Sequence, residues 1–556
     1  MSLRSVLNAL VPPISLPLLG GVVVGMSVAG FLVQPIWGDQ SWYFYAAGRM
    51  LDGARIDIKN IVEGNPPLIF WVSIIPVAIG RGLHLSPQVV LESFLAVVAA
   101  CNIGWCALLA RRSDPAAPRA FPLWLAVVLL YATVVYAWPS VGQREHILIL
   151  LGLPYLVMVG QRMDGIPVPV REAVVAGLLA AVGFALKPYQ FLVVIAVESL
   201  LLWRIGVRRL IRPELLALAL GEFTYAAAIL AFAPDYIFKI MPLASAYLDY
   251  ARVPLRTMIE PLRLLKILGM FALWAMLWPW LRHRGLASVF LVAGGAATVA
   301  YVVQLKHFEY QFLPGLAFLN IALGIMVVDL LLRWTSRDRI LPRPALGAAL
   351  ALVAAVVATI IYYPQDSAKA AIAGSDIRNA TGLAVTARLP VGTTIYELTP
   401  GTGFLFKAVL DRGLVWGSRF PHLWMLAAVL RAEQDAAQDG HVDAGAQRML
   451  ELGRWTRTAV AEDLARWRPS VVLVDRCDDQ SIAPCWSLET FQVNLLTWFE
   501  QDPTFKAEWS HYSNSGRLGP FDLWCPTADA EACARLLAAG VNPIFTAQSP
   551  AKVAVP

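Results

Sequence analysis

Apolar residues run along this chain in long blocks separated by short polar loops. The blocks predict helices at about 13–35, 88–110, 121–138, 146–160, 172–187, 189–203, 214–233, 262–281, 285–304, 311–332 and 344–363. Most are near the length needed to cross the hydrocarbon core of a bilayer. One further block, PPLIFWVSIIPVAIGRGLHL at 66–85, opens on two prolines and has a short apolar core. That pattern predicts a helix lying in the membrane interface and leaves eleven spans.

The polar loops are not alike. Arginine gathers after alternate helices: Arg111, Arg112 and Arg119, then Arg162 and Arg171, then Arg204, Arg208, Arg209 and Arg212. Arg282 with Arg284, and Arg333, Arg337, Arg339 with Arg343, continue the alternation. Short loops rich in Lys and Arg stay cytoplasmic. The N-terminus is therefore expected inside and the C-terminus outside, and counting 66–85 as a span would break the alternation.

Beyond residue 364 the long blocks stop. VGTTIYEL (391–398) and SVVLVDRC (470–477) predict short buried strands, the stretch from Arg431 to Trp467 reads as helix, and FKAEWSHY with GPFDLWC suggests a closing strand pair. The expected architecture is a polytopic α-helical domain over 1–363 and an external α/β domain over 364–556. In a bacterium this means an inner-membrane protein with its C-terminal domain in the periplasm.

Composition agrees with this pattern. The 556 residues are 58% hydrophobic and 15% charged, with a mean hydropathy of +0.60. A soluble domain carries about a quarter charged residues. The net charge of +6 lies in the loops and indicates no nucleic-acid partner. The first apolar block is too long for a cleaved signal peptide and lacks a small-residue cleavage site. Four of the six cysteines lie in the C-terminal region. An oxidising compartment allows disulfides there, for example Cys477–Cys485 and Cys525–Cys533, although spacing alone leaves the pairing open. Cys101 and Cys106 lie in an apolar helix and read as packing residues. No metal-type CxxC spacing occurs.

The remaining polar groups fall on the external side. Asp39 follows the first block, and Arg55, Lys59, Glu63 and Asn65 share its loop. Gln143, Arg144, Glu145 and His146 open the fourth helix, Lys187 precedes a proline break, and Lys306, His307, Glu309 and Tyr310 follow the ninth helix. The catalytic loops are thus expected at about 36–87, 139–146 and 234–261. Ionisable groups near membrane depth point to function. Cations would hold a phosphate, aromatics would stack on a sugar or lipid, and a carboxylate would serve as general base. Each also has a structural reading: Asp39 as a helix-start residue, Glu145 as a partner of the helix dipole, Lys187 as a snorkelling lysine, and His307 as a packing histidine.

The order "apolar helix, GDQSWYFYAAGRMLDG, then NPPLIFW" resembles the GT-C membrane glycosyltransferases, in the branch of the protein O-mannosyltransferases and lipid A aminoarabinose transferases. Asp39 matches the acidic residue of the first external loop. Tyr43, Ala46 and Ala47 match the helix after it, and Asn65-Pro66-Pro67-Leu68 with Trp71 matches a later step. GQREH (142–146) matches the second-loop cluster by position. Gln40 stands where the family often has a second acid. Asn65 stands where it often has a lysine, so Lys59, Arg55 or Lys187 would replace that phosphate contact.

The resemblance implies inverting transfer of a sugar from a polyprenyl-phosphate donor to a lipid, glycan or protein hydroxyl in cell-envelope polysaccharide biosynthesis. Asp39 would be the base, with Glu145 beside it. Lys187, Arg144 and Lys306, with Arg55 and Lys59, would bind the donor phosphate. Tyr43, Asn65, His146, His307 and Tyr310 would bind substrate. A divalent cation, magnesium or manganese, is optional, and no metal ligand is assigned. The rival readings are a flippase or transporter of lipid-linked sugars, an O-antigen polymerase or ligase, and an inactive partner of polysaccharide synthesis. A transporter would carry inverted repeats and midpoint charges; only Glu92, Glu198 and Glu222 approach the latter.

Overall fold

The computed structural model describes residues 38–113, 120–137, 140–206, 211–259, 261–306, 308–335, 377–401, 405–439, 442–479, 485–488, 491–531 and 533, together with Gly25 and Gly347. The predicted spans at 13–35 and 344–363 lie outside the described residues, apart from those two glycines.

The nine other predicted spans are all helical. They are α3 (Pro87–Ser113), α4 (Ala120–Leu130), α5 (Arg144–Met163), α6 (Val170–Ala185), α7 (Phe191–Ile205), α8 (Pro213–Phe232), α9 (Pro261–Leu277), α10 (Arg284–Val303) and α11 (Glu309–Thr335). Two helices precede them: α1 (Gly38–Leu51) and α2 (Leu68–Leu83), the latter formed by the block that opens on two prolines. Six stretches are long and apolar enough to cross a membrane: those of α3, α5, α8, α10 and α11, and Pro188–Ile205, which contains α7. Leu68–Leu83, Ala120–Val135 and Leu264–Trp280 are shorter apolar helices. Phe223 and Phe232 of α8 are exposed in the isolated chain, as expected for a face turned to lipid.

Small residues set how closely the helices approach. A Cβ added to Gly177 of α6 would lie 2.2 Å from the Glu214 carbonyl oxygen at the start of α8. Such close approach is the usual way apolar helices gain packing energy where no hydrophobic drive separates them from lipid. Several buried charges between helices pair with one another. Tyr155 donates to Glu198 at 2.5 Å, Arg212 pairs with Glu198, and Glu214 takes Arg212 at 3.1 Å and Arg162 at 3.2 Å. Glu92 accepts from Gln88 at 2.7 Å. Two of the three acids that approach helix midpoints are therefore held by neighbouring side chains.

The C-terminal region forms a five-stranded mixed sheet in the order β2-β1-β3-β5-β4. The strands are β1 (Thr394–Leu398), β2 (Val415–Trp416), β3 (Val471–Asp475), β4 (Tyr512–Leu518) and β5 (Phe521–Pro526). β1 pairs in parallel with β2 and β3, with Ile395 opposite Val471. β5 runs antiparallel to both β3 and β4. Every residue of β3 is buried, as in a strand covered on both faces. The stretch from Arg431 resolves into two helices, Leu426–Asp439 and Ala444–Trp467.

One strand expectation is corrected. FKAEW is helical, because Asp502 caps Pro503–Trp509 by accepting from the Thr504 and Phe505 N–H groups. The first strand of the closing pair starts only at Tyr512. Cys477–Cys485 and Cys525–Cys533 are both disulfide-bonded.

The sheet region rests on the loop after α1. The Val62 N–H donates to the Arg419 carbonyl at 2.9 Å, and Arg419 Nη1 donates to the Ile58 carbonyl at 3.0 Å. Arg466 donates to the Lys59 carbonyl at 3.0 Å, and the Trp416 N–H donates to the Tyr45 hydroxyl at 2.7 Å. Arg419 is itself fixed by Asp463 at 2.7 Å and Glu462 at 2.8 Å. It is thus a structural anchor of the 417–424 loop.

Candidate active site

Asp39 stands in the first turn of α1, where the helix dipole favours an anion. Its neighbour Gln40 is turned inward, and Gln40 Nε2 donates to the Val141 carbonyl at 2.6 Å. The adjoining Gly142 has φ +78°, and a Cβ there would lie 2.7 Å from Gln40 Nε2. The glycine is needed both for the left-handed turn and for the close approach. Gln40, standing where a second acid was expected, thus ties the start of α1 to the start of α5 and brings Asp39 towards Arg144 and Glu145.

Two buried cations face this point. Lys187, at the break between α6 and the turn before α7, is paired with Glu145 at 2.8 Å, and both side chains are almost fully buried. Tyr189 also donates to Glu145 Oε1 at 3.4 Å. Glu145 Oε2 has no hydrogen-bond partner among the described residues. Arg144 lies over the Tyr43 ring at 5.5 Å and donates to the Asn65 side-chain oxygen. Its Nε is buried and unbonded. Tyr310, in the first turn of α11, hydrogen-bonds Asp39. Burial raises the Asp39 carboxyl above its ordinary range, and the Arg144 and Lys187 charges oppose the shift.

A third carboxylate completes the group. Glu63 accepts from the Trp42 indole at 2.8 Å and from the Asn65 side-chain amide at 2.9 Å. Asn65 therefore bridges Glu63 to Arg144. Burial pushes Glu63 up to about 7, against the pull of the Asn65 N–H and Arg144. This gives a pH prediction. A folded pKa above the unfolded one means that Glu63 contributes stability below about 4.5 and loses it as pH rises through about 7. Glu63→Gln should flatten the change in thermal stability between those pH values, worth about 3 kcal/mol in the wild type. An unchanged slope in melts across that range would rule Glu63 out as its source.

A wall of aromatic residues faces this group. Lys306 Nζ donates to the Tyr247 and Tyr250 carbonyls at 2.6 and 2.5 Å and sits 3.9 Å from the Tyr247 ring centroid. Tyr247 stacks on Tyr250 at 5.2 Å and meets Trp424 edge-on at 6.2 Å. His422, whose ring lies 5.3 Å from Tyr250, is buried with neither nitrogen hydrogen-bonded. The 417–424 loop of the sheet region therefore reaches the aromatic wall.

The structure thus brings together Asp39, Tyr43, Asn65, Arg144, Glu145, Lys187 and Tyr310. Other expected site residues are placed differently. His146 is buried, but its Nδ1 accepts from the Gly142 N–H at 3.2 Å and its Nε2 donates to the Thr133 carbonyl at 2.7 Å. Both ring nitrogens are used to fix the turn into α5, which leaves none for substrate. Lys306 is committed to backbone carbonyls. Arg55 and Lys59 are exposed, and no described hydrogen bond or ion pair joins their side chains to the group. His307 lies outside the described residues.

Trp42, Tyr189 and Tyr247 were not singled out from the sequence, and Glu63 was named there only as one of the loop's polar groups, without a role. Glu63 alone had a usable signal, an acid two positions before Asn65-Pro66-Pro67. Asp475, Cys477 and Cys485 lie close enough together to hold a metal ion, but the two sulfurs are joined to each other.

No family model matches this chain, and no curated protein matches it in sequence. Among solved structures it is similar to the crystal structure of ArnT from Cupriavidus metallidurans bound to undecaprenyl phosphate. The two are 12% identical, with a TM-score of 0.50, over 92% of this chain and 98% of that one. At that identity the likeness is one of fold alone, and it agrees with the GT-C resemblance of the loop after the first apolar block.

Proposed function

We propose that the chain is a membrane glycosyltransferase that moves a sugar from a polyprenyl-phosphate donor to an acceptor hydroxyl. The observation that carries this reading is Asp39 held among two buried cations, Arg144 and Lys187, at one end of the helices. The fold shared with a protein solved with undecaprenyl phosphate supports it. The acceptor would be a lipid, glycan or protein, and the reaction would take place on the periplasmic face of a bacterial inner membrane. The working unit would be the helical domain over 1–363 with the α/β domain over 364–556 resting on its catalytic loops.

Asp39 accepts the proton of the acceptor hydroxyl. The oxygen attacks the anomeric carbon from the face opposite the phosphate, and the bond from that carbon to the phosphate oxygen breaks. The configuration inverts, and polyprenyl phosphate leaves. Its charge is met by Lys187 and Arg144, the latter with an unbonded Nε. Preorganised cations in a water-poor site stabilise such a leaving group far more than they would in water. The raised pKa of Asp39 makes it a stronger base, and the Tyr310 hydrogen bond orients it.

The test is an assay of purified protein in lipid vesicles supplied with polyprenyl-phosphate sugars and candidate acceptors. Release of polyprenyl phosphate together with a glycosidic product is expected. Lipid movement across the vesicle without any product would make the chain a flippase instead.

A further inference from the structure

A cleft of about 930 Å³ lies at the other end of the same helices. α5 carries Arg144 of the candidate active site at its first residue and Met163 of this cleft at its last. Twenty residues of helix at 1.5 Å each separate the two by about 30 Å. α11 likewise runs from Tyr310 to Arg333, which also lines the cleft.

Five arginines line it, Arg162, Arg204, Arg282, Arg284 and Arg333, against one lining carboxylate, Asp164. Two more acids lie nearby. Glu214 pairs with Arg162 at 3.2 Å, and buried Asp329 accepts from His283 Nδ1 at 2.6 Å. Asp164 accepts from the Gly285 N–H at 3.2 Å. Even with all three acids counted, the cleft is positive. Two of the arginines are held in place: Arg162 by Glu214, and Arg284, which donates to the Leu281 and Pro279 carbonyls, both at 2.9 Å, and lies over Trp278 at 5.7 Å. The cleft also has apolar lining, in Phe121, Leu281 and Leu286.

Loop arginines alone are explained by membrane topology. A part-apolar cleft with five of them converging is not. The planar guanidinium matches phosphate in two-point contacts, and basic pockets between membrane helices suit anionic headgroups. We propose that this cleft binds a phosphate-bearing headgroup, with the acyl chains of a membrane lipid lying against its apolar lining. The site is separate from the donor site and does not depend on the proposed reaction.

The test uses the full chain in detergent, with lipid binding counted by native mass spectrometry against cardiolipin, phosphatidylglycerol and phosphatidylcholine. The exposed pair Arg204→Gln/Arg282→Gln should weaken cardiolipin binding on the order of tenfold. Arg204→Lys/Arg282→Lys should restore part of it. Arg111→Gln/Arg171→Gln removes the same charge at the same end of the helices but outside the cleft, and should leave binding unchanged. Inorganic pyrophosphate is the competitor that separates the sources. Failure to compete marks a lipid, and competition marks a soluble phosphate at the same arginines. Equal losses in the two glutamine doubles, or equal binding of phosphatidylcholine, would overturn the proposal.

Discussion

Asp39→Asn is expected to lower sugar transfer by roughly a hundred- to ten-thousand-fold, the range spanned by removal of a general base. The amide keeps the shape of the side chain and can still accept a hydrogen bond from Tyr310. Binding of the donor lipid should therefore survive, and the loss should appear in turnover. The wild-type rate should fall as pH drops through the raised Asp39 pKa, because protonation removes the base. The acid limb should vanish in the variant's residual activity. Measuring polyprenyl phosphate release from pH 4 to 9 with both proteins decides the matter. Full turnover by the variant would remove Asp39 from the chemistry.

The second large effect is expected at Lys187. Lys187→Met leaves Glu145 ionised and buried with its 2.8 Å partner gone. Breaking one side of a buried pair costs about 3–5 kcal/mol. The double variant Lys187→Met/Glu145→Gln removes both charges and should recover most of that stability. It should not recover transfer, because the leaving phosphate has lost a cation. Thermal melts and the transfer assay on the two variants separate the roles. A single variant as stable as wild type would mean that the pair is not held in the buried state seen here, and a double variant with full activity would remove Lys187 from the donor site.

The helices were legible in the sequence because each is a block of apolar residues with its own polar ends. Asp39 was legible too, as an acid just past such a block. Arg144, Glu145, Lys187 and Tyr310 could be assigned to the same end of the helices, since the arginine loops mark the other end. What no linear pattern carries is rotation about a helix axis. His146 directly follows Glu145, yet its ring is turned back to the Thr133 carbonyl in the turn that follows α4. Lys306 at a helix end has the same sequence signature whether it meets a phosphate or, as here, two carbonyls. Glu63 was hidden for the opposite reason. A loop acid reads as solvated until the fold closes Trp42 over it. FKAEW was misread because a helix-capping aspartate outweighed the strand-like aromatic spacing after it.

The loop over 58–65 carries both Glu63 and Asn65. It is clamped at Ile58, Lys59 and Val62 by Arg419 and Arg466 of the sheet region, and Tyr236 donates to the Gly64 carbonyl at 3.3 Å. Ordering each loop residue costs about 1–2 kcal/mol of backbone entropy, and here that cost is met when the protein folds, before any donor arrives. Under the proposed function, the sheet region would act on catalysis at a distance, by keeping Asn65 in place to aim Arg144. A chain shortened ahead of residue 405 would keep every member of the buried group and still turn over slowly, with its donor bound but its arginine adrift.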